Sequence, residues 1–187
     1  TLASALASKD VPGSVKVDAA ISLGLTDKPS SEAMAALKSA AAQPDDVGRT
    51  ATLALGSMAG ALAKDGEDPR ELVDDLVAKL EAAAAPEEKV LYLDALGNTG
   101  DPRAFTAISA RLADGDTSVR VAATAALRFQ KAEQVDEALA IMVRDPEVLV
   151  RKAALSAIAQ RELPRVLPAL GYVLEHEALA ELRKTAI

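Results

Sequence analysis

The most regular polar feature of the sequence is a row of cations that share one local motif. We call this row the cation ladder; its members are Lys16, Lys89, Arg120, Arg151 and Arg183. Lys and Arg donate hydrogen bonds to carboxylates, and Arg can hold one through two parallel bonds. Such a row on one surface would bind an acidic segment of a partner. The alternative is architectural: each aliphatic stem lies along an apolar stripe, and each charged end bonds a loop carboxylate of its own or the adjacent repeat.

Other residues that could take part in metal binding or catalysis lack the neighbouring ligands or bases that such a site requires. His176 is the single histidine and there is no cysteine, so no transition-metal site is predicted. The segment VLEHEAL places His176 at the end of a helix, where the helix dipole stabilises a charged imidazole. No nucleophile has a base beside it. The sequence therefore predicts no catalytic, metal-binding or cofactor-binding residues, and a chain that is not an enzyme.

Three short loops resemble fragments of ligand-binding motifs. GNTG at Gly97 to Gly100 lacks the Gly-Lys-Ser/Thr ending and the preceding strand of a phosphate loop. A glycine that ends a helix in the left-handed conformation is predicted there instead. DGED at Asp65 to Asp68 and DGD at Asp114 to Asp116 lack the ligand spacing of an EF-hand loop. They are predicted to be turns that cap helices.

The composition limits the fold and the partner. Half of the 187 residues are hydrophobic, 26% are charged and only 2% are aromatic, so the core must consist of small aliphatic side chains on closely packed helices. The formal net charge of −7 disfavours nucleic acid or an anionic membrane as the main partner, because both are bound through Lys and Arg. No apolar run approaches the length of a membrane span, and the first residues lack a charged signal-peptide region. A soluble protein is expected, in a compartment that the sequence leaves open.

The ladder belongs to a longer motif that the chain repeats. Around Arg120, taken as offset 0, an aspartate lies at −6, valine at −1, alanine at +3 and +6, and leucine at +7. Similar residues surround five other anchors: Lys16, Gly48, Lys89, Arg151 and, in an incomplete copy, Arg183. The apolar offsets fall on one helical face, and the −6 aspartate is expected to cap that helix. Intervals of 31 to 41 residues are typical of a repeat array.

A second set of helices is predicted between the motifs. Their ranges are Ser31 to Ala42, Pro69 to Ala83, Pro102 to Ala113, Glu133 to Val143 and Leu163 to Leu174. Each repeat is thus two antiparallel helices, and no strand is predicted. The predicted fold class is all-α: a right-handed α-α superhelix, or solenoid, of about five helical hairpins. One array is expected to span residues 1–187 and, because Ile187 falls inside the sixth motif, to continue in a longer chain.

The repeat unit resembles a HEAT repeat, whose second helix begins Asp-x-x-x-x-Val-Arg and continues into alanine and leucine. Here these residues are Asp114, Val119 and Arg120, followed by VAATAAL. The resemblance covers almost the whole chain, and the short helices are most similar to the bacterial HEAT-like repeats of phycobilin lyase subunits. It implies a non-enzymatic scaffold whose concave face, formed by the second helices, binds a protein or peptide.

A narrower resemblance spans Ala51 to Phe129. The segments LALGSMAG, LDALGNTGDP and VRVAATAALR are similar, in order and spacing, to the helical domain of large lipid-transfer proteins of the vitellogenin and microsomal triglyceride transfer type. This implies an alternative function as a lipid-binding or hydrophobe-binding helical module. A second alternative, a HEAT-like lyase or DNA-modifying subunit, is disfavoured because a nucleic-acid groove is basic and aromatic.

The array is irregular between Gly48 and Lys89, where the interval is 41 residues. A longer second helix near residues 58–64 and the DGED loop are predicted to absorb the excess. In the next motif Tyr92 replaces the alanine of offset +3, and its ring is expected to fill the core or to project at an interface. The predicted partner-binding residues are therefore Tyr92 and the cation ladder: Lys16, Lys89, Arg120, Arg151 and Arg183.

Overall fold

The structure is a computed structural model that describes residues 1–132 and 134–185. Within them the chain forms helices and turns and no strand, as predicted. The odd-numbered helices make an outer layer: α1 Leu2–Ala7, α3 Ser31–Ala40, α5 Arg70–Ala82, α7 Phe105–Ser109, α9 Gln134–Met142 and α11 Leu163–His176. The even-numbered helices make an inner layer: α2 Gly13–Gly24, α4 Asp46–Lys64, α6 Pro86–Thr99, α8 Thr117–Ala126, α10 Val148–Ile158 and α12 Ala180–Thr185.

Outer and inner helices alternate as antiparallel hairpins stacked into an α-solenoid, which confirms the predicted architecture. The described residues contain six hairpins, whereas about five were expected. The difference is α1, a helix of only 6 residues that is too short to show a helical period. Short 3-10 turns at Pro102–Ala104 and Leu127–Phe129 complete the described elements. The end of the sixth motif, at Ala186 and Ile187, lies outside the described residues.

Side chains at the predicted apolar offsets form one continuous core. Around Arg120, the residues at −1, +3, +6 and +7 are Val119, Ala123, Ala126 and Leu127, and each is fully buried. Because most of these side chains are alanine, leucine and valine, neighbouring helices must lie close together to exclude water from between them.

The helix ends follow from local sequence signals. Asp116 accepts hydrogen bonds from the backbone N–H groups of Ser118 and Val119, at 2.7 and 3.4 Å, and so caps α8. Helix α6 ends at Gly100, whose φ of 60° is the left-handed conformation predicted for GNTG. The extra residues of the second repeat lengthen α4 to 19 residues, as predicted, and the DGED loop follows it.

Glycines at offset +8 set the spacing of the first inner helices. Gly24, Gly56 and Gly97 all occupy this offset, and each lies against the +6 alanine of the next repeat. A β-carbon on Gly56 would lie 2.2 Å from the carbonyl oxygen of Ala95, so no other residue fits without a shift of the backbone. The three glycines therefore allow α2, α4, α6 and α8 to pack backbone against backbone.

The inner helices contact one another more extensively than the outer helices do. That these inner helices form the concave side of the stack stays a prediction. Within the described residues, none of the helices has both the length and the apolar content required to cross a bilayer.

Candidate functional site

The cation ladder lies in the first turns of the inner helices and joins consecutive repeats. Arg120 donates from Nε and Nη2 to the two carboxylate oxygens of Asp145, at 3.0 and 3.4 Å, and from Nη1 to the carbonyl oxygen of Asp114 at 3.0 Å. One guanidinium thus holds the loop of its own repeat and the carboxylate of the next. This contact is the one expected from the architectural interpretation.

The following repeat reproduces this geometry. Arg151 donates from Nε and Nη2 to the carboxylate of Glu177, at 2.6 and 3.1 Å, and from Nη1 to the carbonyl oxygen of Asp145 at 3.0 Å. Lys89 makes the equivalent pair with Asp114, at 3.0 Å. In all three pairs the carboxylate occupies offset −6 of the next repeat.

Two anchors lack this contact for reasons visible in the sequence. The −6 residue that would face Lys16 is Ala42, which has no carboxylate. Gly48 replaces the cation in the second repeat because a β-carbon there would lie 1.9 Å from the carbonyl oxygen of Gln43, in the turn that enters α4. The paired part of the ladder therefore begins at Lys89.

The expectation that the −6 carboxylate caps the inner helix is wrong. The inner helices α8 and α10 begin at offset −3, so a residue at −6 lies outside them. Asp114 instead accepts the backbone N–H of Asp116 at 3.0 Å, and Asp145 accepts that of Glu147 at 2.8 Å. Each carboxylate stabilises the loop by accepting this N–H. Its other lone pairs accept hydrogen bonds from the cation of the preceding repeat.

These contacts favour the charged forms of the loop carboxylates. The pKa of Glu177 is lowered, chiefly by the Arg151 side chain and then by the backbone N–H of Leu179. The pKa of Asp114 is lowered as well, chiefly by the backbone N–H of Asp116 and then by Lys89. In both residues the opposing effect of desolvation is smaller. Both carboxylates are therefore ionised at neutral pH.

Tyr92 is half-buried and packs against the core. The alanines at the same offset in four other repeats, Ala19, Ala51, Ala123 and Ala154, are buried, so the larger ring reaches further towards the surface. Whether Tyr92 and the ladder residues bind a partner stays a prediction.

A groove crosses the opposite edge of the inner layer, where the inner helices end. Its volume is about 620 Å³, within the size range of ligand sites. Leu25 after α2 and Phe129 after α8 lie on its wall and are 74% and 50% exposed. Gly60 and Ala61 of α4 form part of the surface between them. We call this feature the inner-helix groove.

Sequence reasoning did not identify the inner-helix groove, although two signals for it were present. The long interval between Gly48 and Lys89 supplies the last turns of α4, which line the groove. The +8 glycines bring the inner helix ends together. Two lysines, Lys64 and Lys131, and one carboxylate, Asp27, also line the groove with Leu25 and Phe129. The arrangement suits an amphipathic ligand, with an apolar part on the wall and acceptor groups at the lysines.

A polar cluster lies beside the groove on α6 and the end of α8. Arg128 donates from Nη2 to Oδ1 of Asn98 at 2.8 Å, and its guanidinium carbon lies 4.8 Å from the centre of the Phe129 ring. The pKa of Asp94 is raised because burial disfavours its charged form, against a smaller opposing effect of Arg128 and Arg49. This carboxyl group is half-buried.

A smaller cavity, of about 220 Å³, lies near the end of α11. Its wall contains a stack in which the Arg144 guanidinium lies 4.2 Å from the Tyr172 ring centre and the His176 ring lies 4.3 Å from it. His176 occupies the last position of α11, as predicted. No group of three or more metal-binding side chains is present in residues 1–132 and 134–185.

Comparison with known proteins agrees with this architecture. The chain is similar to the complex of CpcE and CpcF of phycocyanin lyase from Nostoc sp. PCC7120, with 23% identity and a TM-score of 0.62 over 99% of this chain and 73% of that chain. It is also similar to a designed armadillo repeat protein in complex with the peptide (KR)4, with 20% identity and a TM-score of 0.56 over 99% and 95% of the two chains. An archaeal HEAT-like repeats protein from Thermococcus onnurineus NA1 gives 17% identity and a TM-score of 0.51 over 99% and 76%.

These structural relatives confirm the predicted HEAT-like repeat architecture. No curated protein sequence matches the chain. Residues 1–163 match the family model described as the vitellogenin TPR domain, which extends the resemblance predicted for residues 51–129 in both directions. This chain therefore belongs to the vitellogenin TPR domain family.

Proposed function

We propose that the chain is a non-enzymatic scaffold that binds a protein or peptide segment in the inner-helix groove. The observation that carries this proposal is the exposure of Leu25 and Phe129 on the wall of one groove. Large apolar side chains in a concave surface are typical of interaction sites, and aromatic residues are enriched among the residues that dominate binding. Similarity to an armadillo repeat protein in complex with a peptide supports the same interpretation.

The proposal assigns different roles to the two edges of the inner layer. At the edge where inner helices begin, Lys89, Arg120 and Arg151 already hold carboxylates of this chain. Their charge is thereby largely neutralised, which supports an architectural role. If Arg120→Glu and Arg151→Glu lower the melting temperature and leave partner binding intact, the architectural role holds. Loss of binding at unchanged stability would instead assign the partner site to the ladder.

The similarity to phycocyanin lyase concerns the fold and leaves an enzymatic role as the competing proposal. The Nδ1 atom of His176 lies 3.0 Å from the carbonyl oxygen of Tyr172 and 3.9 Å from a carboxylate oxygen of Glu175, and the imidazole ring stacks on Tyr172, so the nearest polar contact of this histidine is with the backbone. This arrangement supports the non-enzymatic proposal.

Selection from a library of displayed random peptides tests the scaffold proposal. The affinity of an enriched peptide is then measured for the wild type, for Phe129→Ser and for Leu25→Ser. We expect each groove variant to bind at least about tenfold more weakly, because the apolar anchor is lost. Ile141→Ser is the matched control, since Ile141 is an exposed apolar residue on the outer helix α9. Equal affinity of all four proteins would place the binding site elsewhere.

A second candidate function is that of a lipid-binding helical module. Membership of the vitellogenin TPR domain family favours it, as does the combination of apolar side chains with Lys64 and Lys131 in one groove. Native mass spectrometry of protein purified from cells distinguishes the two functions. A co-purifying lipid that is lost in Phe129→Ser supports the lipid module, whereas the mass of the chain alone supports the scaffold.

A further inference from the structure

The inner-helix groove carries an excess of positive charge on a chain that is acidic as a whole. The formal net charge of the chain is −7, yet the charged side chains on the groove wall are Lys64, Lys131 and one carboxylate, Asp27. Both lysines are exposed. Neither forms a salt bridge with a residue of 1–132 or 134–185. The described chain therefore holds no carboxylate against either ammonium group.

A third cation is fixed at the edge of the groove. The Arg128 guanidinium donates from Nη2 to Oδ1 of Asn98 at 2.8 Å and from Nη1 to the carbonyl oxygen of Ala125 at 3.2 Å. Its central carbon lies 4.8 Å from the centre of the Phe129 ring. Asn98 and Phe129 both lie on the groove wall. Contacts with uncharged groups thus hold the guanidinium beside the groove.

Arg128 differs in this respect from the arginines of the cation ladder. Arg120 and Arg151 each donate from two nitrogens to one carboxylate of this chain. Arg128 forms no salt bridge with any residue that the structure describes, Asp94 included. Its Nε takes no part in the contacts with Asn98 and Ala125. The remaining N–H groups of this guanidinium can therefore donate to a carboxylate of a partner.

The stacking of the repeats does not require an arginine at this position. Arg128 occupies offset +8, where the first three repeats have Gly24, Gly56 and Gly97, and where the fifth has Ala159. A small residue at this offset is therefore compatible with the packing of inner helices on both sides of the fourth repeat. The arginine adds a positive charge next to the groove and replaces no cation of another repeat.

The three cations are distributed along the groove. Lys64 is the last residue of α4, whereas Arg128 and Lys131 follow α8, and α6 lies between these two helices. The axes of packed helices lie about 8–10 Å apart, so the positive charges extend across more than one helix. A single anionic headgroup has its charge at one point, whereas a peptide can carry several carboxylates along its length. This distribution favours a peptide.

We propose that the segment bound in the inner-helix groove is acidic and amphipathic. One of its carboxylates binds Arg128, an apolar side chain packs on Phe129, and further carboxylates lie near Lys64 and Lys131. Charge complementarity of this kind accelerates association and selects among partners. The inference rests on the function proposed above for the groove and adds the charge of the partner segment.

Selection from two libraries of displayed peptides tests the proposal. Both libraries have the same randomised apolar positions, and the remaining positions are glutamate in one and lysine in the other. We expect the glutamate library to give the tighter ligands. The best of these should bind Lys64→Glu and Arg128→Gln about tenfold more weakly than the wild type. Asp27→Asn should bind it more tightly, since a like charge is removed. Exchange of one glutamate of the peptide for lysine should restore part of the affinity for Lys64→Glu.

Lys152→Glu is the matched control, because Lys152 is exposed on the inner helix α10, outside the groove wall, and the net charge changes equally. We expect it to bind the peptide as the wild type does. Thermal denaturation followed by circular dichroism establishes that each variant is folded.

The outcomes separate this inference from the function on which it rests. Suppose that Phe129→Ser weakens binding but both libraries give ligands of equal affinity. The charge preference is then overturned, while the groove remains the peptide site. Equal affinity of Phe129→Ser and the wild type for the enriched peptide would overturn both proposals. An anionic lipid that co-purifies with the chain and that neither library displaces would assign the cations to a headgroup and overturn the acidic segment.

Discussion

At the scale of single residues, the polar contacts of this protein are concentrated in the loops that enter the inner helices. Arg120 is 13% exposed and its partner Asp145 is 7% exposed, so water screens the pair only weakly. The Arg120 guanidinium donates hydrogen bonds to the Asp145 carboxylate and to the carbonyl oxygen of Asp114 in the loop. A pair of this kind is costly to break, because the remaining charge is buried without a partner.

We predict that Arg120→Ala lowers the free energy of unfolding by about 3 kcal/mol, the cost of leaving the Asp145 carboxylate buried and unpaired. Urea denaturation followed by circular dichroism measures it. Lys79→Ala is the control, because Lys79 and Asp75 form an exposed pair on α5, for which we expect a loss of about 0.5 kcal/mol or less. Equal losses in the two variants would contradict a structural role of the ladder.

The ladder also predicts how stability depends on pH. The pKa of Glu177 is lower in the folded state than its ordinary value of 4.5, because of Arg151 and the N–H of Leu179. The stabilisation is therefore complete above that ordinary value and is lost as the pH falls through the lower folded-state pKa. We expect Glu177→Gln to be less stable at pH 7 and to show a shallower loss of stability on acidification. Unchanged slopes in acid would contradict this assignment.

Asp94 gives a pH effect of opposite sign. Burial raises its pKa in the folded state, so ionisation of this carboxyl group opposes folding at neutral pH, and stability is gained as the pH falls through the raised value. We predict that Asp94→Asn raises the melting temperature at pH 7, and that the difference from the wild type shrinks in acid. A lower melting temperature at pH 7 would show that the charge of Asp94 contributes favourably instead.

At the scale of elements, the spacing of the inner helices depends on which residue occupies offset +8. Gly24, Gly56 and Gly97 allow backbone contact at the first three junctions. At the fourth, the residue at offset +8 is Arg128, whose side chain turns back to Asn98 on α6. The close contact is thus confined to the half of the array that forms the inner-helix groove.

We predict that Gly56→Ala destabilises the protein by about 3 kcal/mol, because the new methyl group overlaps the Ala95 carbonyl and forces α4 and α6 apart. Gly171→Ala is the matched control. Gly171 lies inside α11, and a β-carbon there meets no atom within 4 Å. It should therefore stabilise the protein by about 1 kcal/mol through helix propensity. Thermal denaturation of the two variants should show shifts of opposite sign.

At the scale of the whole molecule, the extensive contacts of each described hairpin are with its neighbours along the array. The stability of such a protein is approximately a sum of repeat and junction contributions. Interior hairpins have a junction on both sides, whereas the first and last have one within the described chain. The ends should therefore open more readily than the middle.

Hydrogen exchange measured by mass spectrometry tests this gradient. We expect amides of α6, which lies between α4 and α8, to exchange slowest, and amides of α1 and α12 to exchange fastest. Uniform protection along the array would indicate that it unfolds as one cooperative unit.

The sequence alone determined the features that arise within one helix or one turn. The apolar offsets, the helix end at Gly100 and the long α4 were predicted correctly because each depends on a local period or a local backbone requirement. The short α1 was missed because 6 residues show too little of a period. The role of the −6 carboxylate was misjudged because the residue that caps α8 is Asp116 at offset −4, and offset −6 lies two residues before it in the loop.

Only the tertiary structure decided which contacts and which surfaces form between one repeat and the next. The partner of Arg120 lies 25 residues away, and nothing in the local sequence of either residue identifies the other. The inner-helix groove likewise requires the ends of four inner segments to meet. Both depend on how far and at what angle successive hairpins are displaced, and at the groove packing of the +8 glycines contributes to that displacement. A repeat motif therefore encodes its own hairpin, while stacking creates the contacts and surfaces between hairpins.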